Sequence, residues 1–186
     1  MELINGDSQL MENLKTGNMD VFNAIYEGYY NDVMNYVYRV SGGNGALAED
    51  ITQNVFMNLW TYRNGHYSKS RIKPLLITMA RNALINASKK EALGKTKFIE
   101  KQSSSSSAVV AEPHQKLAKE ELKKTVEGAV AALPDPIREV LILSRYHCLK
   151  NKEIAQILNV SVRTIEERIS RAFEQLEGNL KPLMEE

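Results

Sequence analysis

The chain has 186 residues, 43% hydrophobic and 25% charged, enough to build one ordinary core or two small ones. A single cysteine, Cys148, excludes an internal disulfide framework, and no run nears the roughly 18 apolar residues a membrane helix needs. The first residues lack a basic segment followed by an apolar run, so no secretory leader is expected and the chain reads as cytoplasmic.

The net charge of +1 conceals an uneven layout. Residues 1–62 carry two basic and eight acidic side chains, a balance of −6, whereas residues 63–101 carry ten basic and two acidic ones, a balance of +8. A basic block of that kind suits a phosphate backbone, although a solvated basic face is the plainer reading of composition alone.

In chain order, apolar residues from Val21 to Val40 recur at helical spacing (Phe22, Ile25, Tyr26, Tyr29, Tyr30, Val33, Val37, Val40), and Ser41-Gly42-Gly43-Asn44-Gly45 ends that helix. A second helix is predicted from about Ala46 to Tyr62, broken by Asn64-Gly65, and a third from near Pro74 to about Lys90. The serine run Ser103–Ser107, closed by Ala111-Glu112-Pro113, marks a linker, because serine tracts bury too little surface to offset the entropy of ordering them. Beyond it, helices are expected over about 115–132 and 136–148, with Asp135 as N-cap before Pro136. No segment alternates like a strand. The reading is an all-α chain of two small helical domains, residues 1–92 and 116–186, joined by a flexible linker at 93–115.

The most specific signal lies between Asn151 and Ile169. Two short helices that cross steeply need a small residue at their approach, Ala155, and a turn residue that tolerates left-handed backbone, Asn159. Ile154, Leu158, Val160, Ile165 and Ile169 would plug the angle, and Ser161 would cap the second helix. This is a helix-turn-helix pattern, whose second helix enters the major groove. Its outward residues are Arg163, Thr164, Glu166, Glu167, Ser170 and Arg171; Ser161, Arg163 and Arg168 sit better for phosphates. An acidic solvated face of Glu166, Glu167, Glu174 and Glu177 is the plainer alternative.

Catalysis is not expected. His66, His114 and His147 fall on different segments, Cys148 and His147 are neighbours that would point apart on a helix, and neither a phosphate loop nor metal-ligand spacing occurs. No cofactor and no metal are called for.

Ala48-Glu49-Asp50-Ile51-Thr52-Gln53-Asn54-Val55-Phe56-Met57-Asn58-Leu59-Trp60 resembles region 2.2 of the sigma-70 superfamily. Phe22–Tyr38 resembles region 2.1, Met79–Asn86 resembles region 2.4, and Leu133-Pro134 with the helix-turn-helix resembles region 4. The short two-part layout is similar to the extracytoplasmic-function (ECF) group, and Ser161–Glu166 has the form of its Bacteroidetes branch. The resemblance implies an alternative sigma factor that directs promoter recognition, with core RNA polymerase (its β′ coiled coil and β flap), promoter DNA and an anti-sigma factor as partners. It assigns Asp50, Gln53, Phe56, Leu59 and Trp60 to the polymerase. It assigns Arg63, Asn64, His66, Tyr67, Lys69, Arg81, Asn82, Asn86, Lys89 and Lys90 to the −10 element, with His66 or Tyr67 stacking on a flipped base. The helix-turn-helix residues named above fall to the −35 element. Two departures stand out: Lys73-Pro74-Leu75 replaces an aromatic residue before region 2.4, and Asn86 stands where an acid is common. A stand-alone helix-turn-helix regulator with an unrelated helical sensor domain is the competing reading.

Overall fold

The computed structural model describes residues 2–65, 71–94 and 124–184, and among them there is no strand. Its helices are α1 (Glu2–Lys15), α2 (Met19–Val40), α3 (Gly45–Thr61), α4 (Ile72–Gly94), α5 (124–131), α6 (Asp135–Leu141), α7 (Asn151–Leu158) and α8 (Val162–Met184). None of the described helices is long and apolar enough to cross a membrane.

Turn chemistry sets most of the boundaries. Gly17, at φ 78°, releases the chain from α1, and the Asn18 side chain then accepts from the amides of Asp20 (3.0 Å) and Val21 (3.3 Å) to start α2. Gly42 and Gly43, at φ 71° and 92°, turn the chain after α2, and Asn44 caps α3 through the Leu47 amide at 3.0 Å. The stripes on α2, α3 and α4 meet in a core that includes Ile25, Val33, Val37, Ile51, Val55, Leu59, Leu76, Ile77 and Ala80. Thr52, buried in this core, satisfies its hydroxyl by donating to the Ala48 carbonyl at 2.7 Å. Helix α1 was not expected from the sequence, yet it closes one end of the bundle with Met11 and Leu14 fully buried.

In the second half, α6 and α7 pack on α8, and Val130 and Leu133 join Leu141 and Ala172 in a smaller cluster. Asp135 is not the N-cap: it is the first residue of α6, Pro134 precedes it without a side-chain cap, and its carboxylate accepts from Arg138. The helix expected over 136–148 also stops short. After Leu141 the backbone widens into a π turn, Ile142–Tyr146, in which the His147 amide bonds to the Ile142 carbonyl five residues back at 3.3 Å. Cys148 therefore lies outside any helix, exposed at φ 53°, while His147 is only 2% exposed.

The π turn delivers His147 to the seam between the two halves, where α2 meets the π turn and α6 and where α4 meets α7. Apolar packing runs through that seam without a break, from Val33, Val37, Leu76 and Ile77 to Val140, Leu143 and Ile154. The His147 ring stands edge-on to Tyr36 at 5.8 Å, and its Nδ1 lies 3.7 Å from Asp32, which Lys73 also holds at 2.9 Å.

Burial in this seam, reinforced by the Lys73 charge and only partly opposed by Asp32, pushes the His147 pKa down from 6.5 to about 4. A histidine with a depressed folded pKa leaves stability complete above pH 6.5 and removes it as the pH falls toward 4. Denaturant titrations should therefore show a loss of about 3 kcal/mol over that window, absent in His147→Leu. Equal pH slopes in the two proteins would remove His147 as the cause.

Candidate nucleic-acid interface

The helix-turn-helix has the geometry its residues require. Asn159 ends α7 in left-handed backbone (φ 53°, ψ 50°), and Ser161 starts α8 by accepting from the Thr164 amide at 3.0 Å. Ala155, Ile154, Leu158 and Ile165 are buried in the angle between the helices. This positions the first turns of α8 as an open face: Ser161, Arg163, Glu166, Glu167, Ser170 and Arg171 are exposed, with Thr164 and Arg168 half-buried at its edge. Arg163 reaches along the helix to Glu167, Nε to Oε1 at 3.0 Å, so its guanidinium is held extended over the next turn. Arg163, Glu166, Glu167, Ser170, Arg171 and Glu174 line one shallow groove of about 430 Å³.

On α4 the residues assigned to DNA separate into two groups. Asn82, Asn86, Lys89 and Lys90 are exposed. Arg81 is engaged instead, its Nε donating to Glu139 Oε1 at 3.0 Å. His66, Tyr67 and Lys69 lie outside the described residues. Asn64 is exposed, but Arg63 folds over the Trp60 ring, 4.5 Å from its centroid, and donates from Nη1 to the Trp60 carbonyl at 2.9 Å. A guanidinium engaged in these contacts helps fix the corner after α3.

The residues assigned to the polymerase also divide by burial. Asp50 and Gln53 are exposed and Trp60 is half-buried, whereas Phe56 is 2% exposed and Leu59 is completely buried. Leu59 belongs to the core that α3 shares with α2 and α4, so no partner can touch it without unfolding the bundle. It drops out of the set, and Phe56 is the floor of the site. Sequence reading missed the walls: Met19, Tyr26 and Met57, exposed by 52%, 38% and 64%, surround an apolar hollow of about 390 Å³ with Phe22, Gln53, Phe56 and Trp60. Tilted and edge-to-face contacts at 4.8 to 5.1 Å (Tyr26–Phe56, Phe22–Trp60, Tyr26–Tyr30) hold this aromatic floor in place. The signal lay at i+4 from Gln53, where Met57 stands on the polar side of the stripe.

A helical bundle with an open aromatic hollow, followed by a helix-turn-helix whose second helix is exposed, is the architecture of a two-module DNA-binding protein. Residues 25–93 match the family described as Sigma-70 region 2, and residues 123–176 match Sigma-70, region 4. The ECF RNA polymerase sigma factor SigM of Bacillus subtilis is 32% identical over 157 residues, covering 83% of this chain and 91% of that protein. The ECF RNA polymerase sigma-E factor of Escherichia coli K12 is 25% identical, with 96% of each chain covered. Among solved structures, CnrH in complex with the cytosolic domain of CnrY shares the fold with a TM-score of 0.67 at 20% identity, over 95% of this chain and 97% of that one. The sigma factor RpoE in complex with the anti-sigma factor NepR from Bartonella quintana gives 0.66 at 23% identity, over 86% and 96%. The chain belongs to the ECF group of sigma-70 family RNA polymerase sigma factors. It is an alternative sigma factor that binds core RNA polymerase and directs promoter recognition in transcription initiation.

The Arg63 contacts generate a stability prediction. Arg63→Ala should lower unfolding free energy by about 1–2 kcal/mol, the combined scale of a cation–π contact and a charged hydrogen bond. Thermal unfolding checks it, and an unchanged midpoint would return Arg63 to the DNA-facing set.

Proposed function

We propose a division of labour within this sigma factor. The exposed edge of α3, with Asp50, Gln53 and the added Met57 around the Phe56–Trp60 floor, docks on the β′ coiled coil of polymerase. Asn82, Asn86, Lys89 and Lys90 on α4 face the −10 element together with the segment that contains His66, Tyr67 and Lys69. The first turns of α8 read the −35 element. The chain performs no chemistry itself and acts in the cytoplasm as two units, residues 1–92 and 116–186, tethered through 93–115. An anti-sigma factor is its expected antagonist, since both solved relatives described above are held in complexes with a second protein.

The observation that carries this reading is the coexistence of two open, chemically unlike surfaces on one chain, the aromatic hollow on α2 and α3 and the polar reading face of α8. A hollow open to solvent beside buried Phe56 favours a docking surface over a closed sensor domain.

Run-off transcription from a promoter library, with core polymerase alone and with the chain added, tests it. Specific starts are expected only in its presence, and Gln53→Ala/Met57→Ala should abolish them while leaving helix content intact. Specific DNA binding without any starts would leave the stand-alone regulator.

The two arginines of the reading helix should separate in a binding selection on duplex DNA. Arg171, exposed and without an ion pair among the described residues, should read a base edge. Arg171→Ala should relax preference at one position, at about 1–3 kcal/mol of discrimination. Arg163→Ala should weaken all sequences alike and lower the salt slope by about 1. A reversed pattern would exchange their roles.

A further inference from the structure

Methionines are unevenly exposed in this chain. Of the five whose side chains the structure describes, Met11 is buried in the core and Met34 and Met79 are half-buried. Met19 and Met57 are exposed, and both line the same aromatic hollow. They reach it from different helices. Met19 opens α2 three residues before Phe22, and Met57 follows Gln53 on α3 at a spacing of four, so each falls on the face of its helix that borders the hollow. Cys148, the other exposed sulfur among the described residues, follows the π turn and does not line the hollow.

The unbranched, polarizable methionine side chain suits an apolar surface that must conform to a partner. The same exposure gives an oxidant access to the thioether, and oxidation turns a flexible apolar side chain into a polar one. The sulfur donates a lone pair to the terminal oxygen of a hydroperoxide, forming an S–O bond as the O–O bond breaks. The alkoxide or hydroxide that leaves takes the proton carried by the transferred oxygen. The thioether thus loses two electrons to become a sulfoxide, and the peroxide is reduced to an alcohol or to water. The rest of the hollow is largely aromatic, from Phe22, Tyr26, Phe56 and Trp60. A partner that covers it with apolar side chains strips water from the new sulfoxide oxygen, which should weaken binding about tenfold per sulfoxide, or about 1.4 kcal/mol.

We propose that Met19 and Met57 are a paired oxidation site, through which a hydroperoxide disables the polymerase-docking hollow. The modification is reversible: two thiols return the two electrons, leaving the thioether, a disulfide and water. The inference rests on the docking role proposed for the hollow.

The test uses the full native chain and hydrogen peroxide, at a dose that leaves Met11 intact. After the peroxide is removed, dithiothreitol restores any sulfenic acid or disulfide at Cys148. Peptide mass spectrometry should find Met19 and Met57 oxidised several-fold faster than Met11, Met34 and Met79, and uniform rates would overturn the site. Core polymerase is then titrated with the chain before and after treatment, and the ratio of the two dissociation constants is compared. It should be tenfold or more for the unaltered chain and near one for M19L/M57L, whatever the starting affinity of that variant. Treating the oxidised unaltered chain with the two epimer-specific methionine sulfoxide reductases and a dithiol should restore its first affinity. This recovery decides the matter if M19L/M57L binds too weakly to titrate. A ratio near one in the unaltered chain, an equal ratio in M19L/M57L, or no recovery after reduction refutes the site. Absence of binding before any peroxide is added defeats the docking reading and this inference with it, whereas binding that survives peroxide defeats the inference alone.

Discussion

Small size is the constraint on which the rest of this structure depends. The second unit, α5 to α8, spans residues 124–184, a length at which a single core is only marginally sufficient. Its own cluster around Val130, Leu133, Leu141 and Ala172 is small. Val140, Leu143, Leu149, Ile154 and Ile157 instead join the core of the first unit. The second unit therefore has a thermodynamic reason to lie against α2 and α4 whenever nothing else covers those residues. Ion pairs such as Arg81 with Glu139 then fix where it lies, because charge complementarity selects register more than it adds affinity.

The same surfaces give the chain its working charge pattern. The acidic first stretch contains the aromatic hollow, and the basic block contains α4. Four of the block's cations, Arg63, Arg71, Lys73 and Arg81, are engaged within the molecule, to Trp60, Glu153, Asp32 and Glu139. Lys89 and Lys90, at the far end of α4, remain exposed. The basic block is thus partly a structural reservoir, and counting its charges overstates what is free to meet phosphate.

Much of the fold was legible because local chemistry and tertiary demand agree. The stripes of α2 and α3, the glycine turn at 42–43 and the Asn159–Ser161 corner each specify their geometry within a few residues. Helix α1 was not legible, since Asn5, Gly6 and Asn13 weaken its propensity and only packing of Met11 and Leu14 rescues it. The π turn was hidden because one widened turn barely disturbs an apolar pattern. Pairings such as Arg81 with Glu139, 58 residues apart, have no local signature. Leu59 and Arg63 were assigned outward by resemblance of position. Burial of Leu59 and the stacking of Arg63 on Trp60 depend on neighbours that a linear reading does not see.

The apolar packing that joins the two units has a kinetic meaning. Val140, Leu143 and Ile154 must leave the shared core before the two units can part. Polymerase that captures only the parted form sees an apparent dissociation constant raised by the inverse of that form's population, tenfold for about every 1.4 kcal/mol favouring closure. Competition among sigma factors for a limited pool of polymerase would then depend on how readily each chain comes apart, as well as on how well its docking surface fits.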